Sequence, residues 1–228
     1  MSRPDTLFAC ILSGDAKAAA AIVRQALEDG ADPMELVTRH MIPAMDEVGK
    51  RFECEEYFVP ELLLSGRAMQ AALEHIRPLL AASGVQPAGR VVIGTVRGDL
   101  HDIGKNLVAS MLEGGGFEVH DLGADVSADR FVDAARDRNA DIVALSALLT
   151  VTMPAMRVTI NALVEAGVRD RVKVIVGGAP VTEEFAREIG ADGHSDNASA
   201  AVALARRLMA APAVHESGER ACPPPIPN

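Results

Sequence analysis

The chain has 228 residues, of which 49% are hydrophobic and 24% are charged, so it can bury a core in one or two domains. Its net charge is −10, and it contains six Phe, one Tyr and no Trp. An acidic chain with few aromatic rings lacks the basic surface and stacking platforms used to bind nucleic acid or anionic membranes. Three distant cysteines, no apolar leader and no apolar run of bilayer length predict a cytoplasmic protein.

Residues 1–85 have a helical pattern throughout. The Asp32-Pro33 pair is typical of a helix N-cap followed by Pro in the first turn. Apolar residues then recur every three or four positions as far as Phe52, and Pro43 is expected to kink that helix. Four helices with short connections predict a four-helix bundle that forms a cap domain over residues 1–85.

The pattern changes after residues 78–89, a segment containing Gly and Pro that is predicted to be a linker, with a candidate hinge at 81–89. Short β-branched runs then alternate with helical stretches. The predicted strands are Arg90–Val96, Phe117–Leu122, Asp141–Ser146, Val172–Val176 and, more weakly, Gly193–Ser195. The predicted helices are Ile103–Glu113, Ala128–Arg138, Pro154–Glu165, Glu183–Ile189 and Ala198–Met209.

Apolar strands that alternate with helices are typical of a parallel sheet covered on both faces. The sequence therefore predicts an α/β domain over residues 90–212, with a doubly wound, flavodoxin-like sheet of five parallel strands. This domain would begin from a linker at residues 86–90. The Pro-rich segment 213–228 is predicted to be a disordered tail.

The loop after the first predicted strand carries the residues best suited to chemistry. Asp99, His101 and Asp102 lie where doubly wound sheets bind ligands, and the segment matches neither a Walker loop nor a dinucleotide fingerprint. A carboxylate two residues from a His can hold the proton of one ring nitrogen and leave the other free. That arrangement suits a metal ligand or a general base. A surface His beside helix-capping aspartates has the same local sequence, and spacing alone supplies no further zinc ligands.

Two further segments are predicted to end at the same edge of the sheet. Ser146 and Leu148 close the third strand, and Gly177-Gly178 closes the fourth. Forty-one residues separate Gly104 from Ser146, and 28 separate Leu148 from Gly177. Together with the loop His, this arrangement resembles the cobalamin-binding signature DxHxxG, SxL and GG. The resemblance extends over the whole second half of the chain.

The first half resembles the same group of proteins. Its segments Val48-Gly49-x-x-Phe52-Glu53 and Phe58-x-Pro60-Glu61-Leu62 are similar to the helical cap that precedes the cobalamin domain in methionine synthase and in corrinoid proteins of methylotrophic methyltransferase systems. The chain as a whole resembles a free-standing methyltransferase corrinoid protein. Such relatives serve demethylation of methanol, methylamines, glycine betaine or aryl methyl ethers.

The resemblance implies a cofactor and a set of partners. The cofactor would be cobalamin, passing between Co(I) and methylcobalamin, a Co(III) form. The protein would carry a methyl group on cobalt from a substrate-specific corrinoid methyltransferase to a second methyltransferase with a thiol or tetrahydrofolate acceptor. A reductive activase would be a further partner. The chain would then be a component of a corrinoid-dependent methyltransferase system rather than a complete enzyme.

The resemblance also implies residue roles. His101 would be the metal ligand, replacing the cofactor's own base below cobalt (base-off/His-on). Asp99 would bond the other ring nitrogen, and Thr152 would stand where methionine synthase has a serine. Asp102 and Ile103 would present backbone to the corrin edge, and Gly104 would permit the tight entry into the following helix. The remaining cofactor-binding candidates are Leu100 in the same loop, Ser146, Leu148, Thr150, Gly177, Gly178 and Ala198 around the nucleotide tail, and Met45, Phe58 and Met69 above the upper face.

Other features are interpreted as structural. Lys105 is expected to be a helix-surface charge, and Asp121 and Asp125 are expected to cap loops. The alternative functions are a B12-dependent sensor or regulatory module, the small subunit of a B12 mutase, and a flavodoxin-like receiver or hydrolase. A photoreceptor would ordinarily add a DNA-binding helix-turn-helix, a mutase subunit would ordinarily lack the cap, and neither receiver nor hydrolase accounts for the spacings of 41 and 28 residues.

Overall fold

The computed structural model describes residues 3–83 and 86–210, so the predicted tail over 213–228 lies outside the described residues. The first part is helical, as predicted. Its helices are α1 (Arg3–Leu12), α2 (Ala16–Glu28), α3 (Pro33–Leu36), α4 (Ile42–Glu53) and α5 (Val59–Ser83). A π-helical turn, Val37–Met41, joins α3 to α4, so the two form one interrupted helix.

Local chemistry explains where these helices begin and bend. The Asp32 carboxylate accepts the Met34 N–H at 2.9 Å, with Pro33 in the first turn, as the N-cap prediction required. The bend expected at Pro43 takes the form of the π-helical turn, because a proline has no N–H for the preceding turn.

The predicted linker is shorter than expected. Helix α5 continues past Pro78 to Ser83, so the first residues of the segment 78–89 are helical. Pro78 has no N–H, so the helix lacks one hydrogen bond at this position. The two preceding residues hold this part of α5 in place, because Ile76 is fully buried in the core and Arg77 pairs with Glu113 of the sheet domain at 2.8 Å.

The second part is a five-stranded parallel sheet, which confirms the predicted α/β fold. Its strands are β1 (Arg90–Thr95), β2 (Glu118–Asp121), β3 (Ile142–Ser146), β4 (Lys173–Gly177) and β5 (Gly193–Ser195), in the order β2-β1-β3-β4-β5. Its helices are α6 (Ile103–Gly114), α7 (Ala128–Asp137), α8 (Pro154–Glu165), α9 (Glu183–Glu188) and α10 (Ala198–Ala210), with a 3-10 turn at Arg169–Arg171. The chain changes direction between β1 and β3, and ligands bind outside the strand ends at such a switch point.

Two hydrophobic cores lie on the two faces of the sheet. The core around Phe131, Met156 and Leu163 is formed with α7, α8 and α9. The other core contains Leu107 and Leu112 of α6 together with the buried residues of all the cap helices. The cap therefore packs against the α6–α10 layer. The cap helices and the sheet on either side of the predicted linker at residues 86–90 share this core.

Contacts along α6 and α10 fix the orientation of the cap. Near the end of α6, Gly114 packs against Met45, which is in the first half of α4. At the other end of α4, Glu53 accepts a 2.9 Å hydrogen bond from Ser199, in the first turn of α10. Helix α4 is thus antiparallel to both helices. Its turn into α5, residues 54–58, lies at the edge of the sheet where the strands' carboxyl ends meet, here called the carboxyl edge.

Because the cap and the sheet share one core, we expect the chain to unfold in a single cooperative transition. Ile76→Ala, a truncation in fully buried cap packing, should lower the free energy of unfolding by about 2–5 kcal/mol. Differential scanning calorimetry should show one transition in both proteins, at a lower temperature in the variant. Two separate transitions, with only one displaced by the substitution, would contradict the shared core.

Candidate functional site

The buried carboxylate of Asp99 is the centre of the site. It has no exposed surface. Its Oδ2 accepts hydrogen bonds from the Thr152 hydroxyl at 2.7 Å and from the N–H groups of Leu148 at 2.8 Å and Leu149 at 3.2 Å. Its Oδ1 accepts the N–H of His101 at 3.0 Å and lies 2.7 Å from Nδ1 of the same residue. One side chain therefore ties the loop after β1 to the loop after β3.

These contacts determine the charge of Asp99. Burial by itself raises the pKa of the carboxyl group, but hydrogen bonds from Thr152, from the backbone of His101 and Leu148, and from the imidazole outweigh burial. They hold the pKa well below its usual range. The group is therefore a carboxylate at neutral pH, and an anionic acceptor at Nδ1 requires that this nitrogen carry a hydrogen.

The same contact fixes the imidazole. With the hydrogen on Nδ1, Nε2 of His101 is the ring nitrogen whose lone pair is available to a metal. None of the described residues bonds Nε2, and the side chain is 51% exposed at the carboxyl edge. An imidazole with one nitrogen held by a carboxylate and the other directed outward suits a metal ligand. The described residues contain no group of three or more His, Cys, Asp or Glu side chains that could hold a metal ion among themselves.

The backbone around His101 is fixed from two sides. Thr95, fully buried at the end of β1, donates its hydroxyl to the His101 carbonyl at 2.9 Å. Asp125 accepts the Gly98 N–H at 2.7 Å and donates its own N–H to the Asp99 carbonyl at 3.0 Å. The loop-capping role predicted for Asp125 is confirmed. The loop that presents the imidazole is thus tied to β1 and to the segment after β2.

Lys105 differs from its prediction as a helix-surface charge. It is 2% exposed, and its ammonium group contacts the carboxylate of Asp121 and donates to Asn106 Oδ1 at 2.6 Å. Asp121 also accepts the Gly123 N–H at 2.8 Å, as predicted for a loop cap. The residues of α6 alone do not indicate this ion pair, because the partner carboxylate comes from the end of β2.

A cavity of about 310 Å³ opens beside His101, between the carboxyl ends of the strands and helices α6 and α10. That volume is at the lower end of the range for small-molecule and cofactor sites. Seven of the predicted cofactor-binding residues line it: His101, Gly104, Ser146, Leu148, Gly177, Gly178 and Ala198. The structure thus brings together the three separated pieces of the sequence signature.

The remaining predicted residues do not line the cavity. Asp99 and Thr152 are buried beneath His101 and hold it. Leu100 and Ile103, which flank His101 in the chain, are apolar and 75% and 70% exposed. Asp102 is the residue before α6 and makes no side-chain capping bond there. Thr150 is exposed in the loop after β3, and Phe58 is 63% exposed beside the α4–α5 turn.

Two predicted upper-face residues are placed differently by the structure. Met45 is 2% exposed and Met69 fully buried, both within the core that the cap shares with α6. Met45 packs on Gly114, about 16 Å along α6 from its first residue at the carboxyl edge. Neither side chain presents a surface to a ligand above His101 in this structure, and their assignment to the upper face of the cofactor stays a prediction. Apolar periodicity identifies the buried face of a helix but not what covers it.

Several lining residues were missed by sequence reasoning. Phe52 enters the cavity from the cap, while Lys105, Leu107 and Val108 line it from α6. Asn197 lines it at the start of α10, where its side chain also caps the helix by accepting the Ala200 N–H at 2.8 Å. Leu107 and Val108 lie three and four residues after Gly104 and share its helix face, so helical periodicity applied to that glycine could have found them, but not Lys105.

The first turn of α6 leaves open space at the cavity. A Cβ placed on Gly104 would meet no atom within 4 Å, although this residue lies on the first turn of a packed helix and lines the cavity. Its backbone φ is not in the left-handed region, so the tight helix entry expected of this glycine is not what the structure shows. The open space beside it, together with a free imidazole nitrogen, suits a large cofactor whose metal needs one ligand from the protein.

Comparison with known proteins supports the same class. Residues 89–203 match the family described as a B12 binding domain, and residues 5–77 match a second family with the same description. The chain is 46% identical over 180 residues to dimethylamine corrinoid protein 1 of Methanosarcina acetivorans, covering 78% of this chain and 84% of the relative. It is 43% identical over 197 residues to trimethylamine corrinoid protein 1 of the same organism, covering 86% and 91%.

A solved structure agrees with these relatives. The methanol:cobalamin methyltransferase complex of Methanosarcina barkeri contains a chain that aligns with a TM-score of 0.78 and 28% identity, over 90% of this chain and 78% of that one. The fold and the site thus define a B12-binding protein, whose cofactor is cobalamin. The chain belongs to the methyltransferase corrinoid protein family. None of the described helices is long and apolar enough to cross a membrane.

The Asp99 cluster predicts a measurable contribution of the Thr152 hydroxyl. Thr152→Val keeps the shape of the side chain but removes a donor to a buried carboxylate, so unfolding free energy should fall by about 1–3 kcal/mol. Chemical denaturation of the apoprotein measures this. Thr159→Val is the control, because that buried hydroxyl donates to the Ala155 carbonyl of its own helix. Equal losses in both variants would contradict a special role for the carboxylate.

Gly178 is predicted to tolerate no side chain. Its φ is +129°, and a Cβ would lie 1.9 Å from the carbonyl oxygen of Ala147, at the end of β3. Gly178→Ala should therefore destabilise the fold by about 3 kcal/mol, because it strains the backbone and displaces the loops that follow β3 and β4. Gly190→Ala tests the strain alone, since its φ is +78° and a Cβ there would meet no atom within 4 Å. A cost no larger at Gly178 than at Gly190 would refute the close approach.

Proposed function

We propose that this protein carries a methyl group between two methyltransferases on a cobalamin bound base-off/His-on through Nε2 of His101. The observation that supports this best is the Asp99–His101 pair: a buried carboxylate 2.7 Å from Nδ1 leaves Nε2 free beside an open cavity. When bound, the cofactor supplies a cobalt centre able to accept a methyl group and to release it to an acceptor.

The protein's own residues would set the ligation. Asp99 keeps the hydrogen on Nδ1, so Nε2 is always the donor atom facing the cofactor. Thr152 and the backbone of Leu148 hold the carboxylate in place, which prevents the imidazole from rotating away. Leu100 and Ile103, both apolar and exposed near His101 in the chain, would pack against the corrin.

The cavity would receive the nucleotide arm that His101 displaces from cobalt. Ser146 and Leu148 line one side at the end of β3, and Gly177 lines the neighbouring strand end. A Cβ on Gly177 would lie 3.2 Å from the Ser195 carbonyl oxygen, so a larger residue there would press on Ser195, which also lines the cavity. Burial of the arm in this cavity would orient the ring over the imidazole.

The proposed methyl donors are methylated amines. Two relatives at 46% and 43% identity are named dimethylamine and trimethylamine corrinoid proteins. The aligned solved structure is a complex with a methanol:cobalamin methyltransferase, which supports a substrate-specific methyltransferase as the first partner. The second partner would be a methyltransferase with a thiol or tetrahydrofolate acceptor, and a reductive activase would restore oxidised cofactor. The protein itself would hold the methyl-carrying cofactor and set the access of each partner to it.

Reconstitution with hydroxocobalamin tests this proposal. The purified chain should bind the cofactor stoichiometrically and show the absorption spectrum of base-off/His-on ligation. His101→Ala should lose the His-on signature, and His75→Ala is the control, an exposed histidine on α5. Absence of cofactor uptake by the wild-type chain, or an unchanged spectrum in His101→Ala, would contradict the ligand assignment.

Methyl carriage is measured separately with the loaded, reduced protein. Incubation with dimethylamine and a dimethylamine:corrinoid methyltransferase should methylate the bound cofactor, as followed by absorbance, whereas omission of either component should not. Uptake of cobalamin with no methylation by any methylamine or methanol system would refute the carrier role while leaving cofactor binding intact.

A further inference from the structure

We propose that Phe52 of the cap forms one wall of the nucleotide-arm cavity, so that binding of the arm and seating of the cap on the sheet stabilise each other. The inference rests on the proposed function, because it takes the arm to occupy this cavity. It adds a residue that discriminates between corrinoids with and without an arm.

The first step is the close contact between α4 and α10. A Cβ on Gly49 would lie 2.6 Å from Ser199 Oγ, so the absence of a side chain there lets the two helices approach. One turn later the Glu53 carboxylate accepts the Ser199 hydroxyl at 2.9 Å. The last turn of α4 is therefore held against the first turn of α10.

The second step is the position of Phe52 between these contacts. Its side chain packs partly against the shared core and lines the cavity together with Val108 of α6 and Ala201 of α10. Among the described residues, Phe52 is the one cavity-lining residue that comes from the cap. The cavity is thus complete only when α4 sits on α10.

The third step is thermodynamic. A ligand that contacts a wall present in the seated cap binds that state more tightly than an unseated one, and the seated state is favoured by the same factor. The corrin ring would lie over His101, outside the cavity, whereas the nucleotide arm would lie within it. Contact with Phe52 should therefore depend on the arm and be absent for a corrinoid that lacks it.

Equilibrium binding of hydroxocobalamin and of cobinamide, which has the ring but no nucleotide, tests the proposal. Phe52→Ala should weaken hydroxocobalamin binding about tenfold and cobinamide binding less than about twofold. The matched control is Phe8→Ala, which removes a phenyl group from the same core at a site that does not line the cavity. It should change both affinities alike. Phe52→Leu should give an intermediate loss and provides a second variant with a smaller packing change.

Hydrogen–deuterium exchange measures cap seating directly. In the wild-type chain, hydroxocobalamin should protect the amides of α4 more than cobinamide does at matched saturation, and this difference should vanish in Phe52→Ala. Equal weakening of both corrinoids by Phe52→Ala, or equal protection of α4 by both, overturns the inference with the proposed function intact. A wild-type chain that binds neither corrinoid overturns both.

Discussion

The buried carboxylate of Asp99 is the constraint on which the rest of the site depends. Removing an ionised group from water is costly, and the structure compensates with hydrogen bonds from Thr152, from two backbone N–H groups after β3, and from His101. The same bonds that keep Asp99 charged connect two loops that are about 50 residues apart in the chain. The position of the imidazole is therefore determined by the sheet topology, which places the ends of β1 and β3 side by side.

Helix α6 connects this cluster to the rest of the molecule. It begins directly after the His101 loop, one face lines the cavity, and Leu107 and Leu112 pack in the core shared with the cap. Lys105 ties its first turn to the end of β2 through Asp121. A cation in the first turn of a helix is unfavourable for the helix dipole, so the buried pair is explained by what it holds in place rather than by helix stability. The cap, the cavity and the metal-ligand candidate thus share one rigid element.

Much of this architecture could be predicted from the sequence because the chemistry-bearing residues sit at positions that the fold defines. Strand ends in a doubly wound sheet meet at one edge, so His101, Ser146 and Gly177 could be brought together from spacing alone, with the family resemblance supplying the ligand. The burial of a side chain was harder to predict where it depends on a partner from another element. Lys105 is buried because it pairs with Asp121 at the end of β2, and Met45 is buried because it packs against α6. Neither contact can be read from the residue's own helix.

The division between polar and apolar surfaces at the site explains why a carboxylate, rather than a neutral acceptor, lies behind His101. A backbone carbonyl could also select the Nδ1–H tautomer, but an anion makes the opposite nitrogen a stronger donor. Asp99 is fully buried, whereas Leu100 and Ile103, two exposed side chains close to His101 in the chain, are apolar. The geometry therefore places a negative charge directly behind the imidazole, with apolar side chains exposed near it. That combination favours a positively charged metal centre carried in a large, flat, apolar macrocycle over a bare hydrated ion.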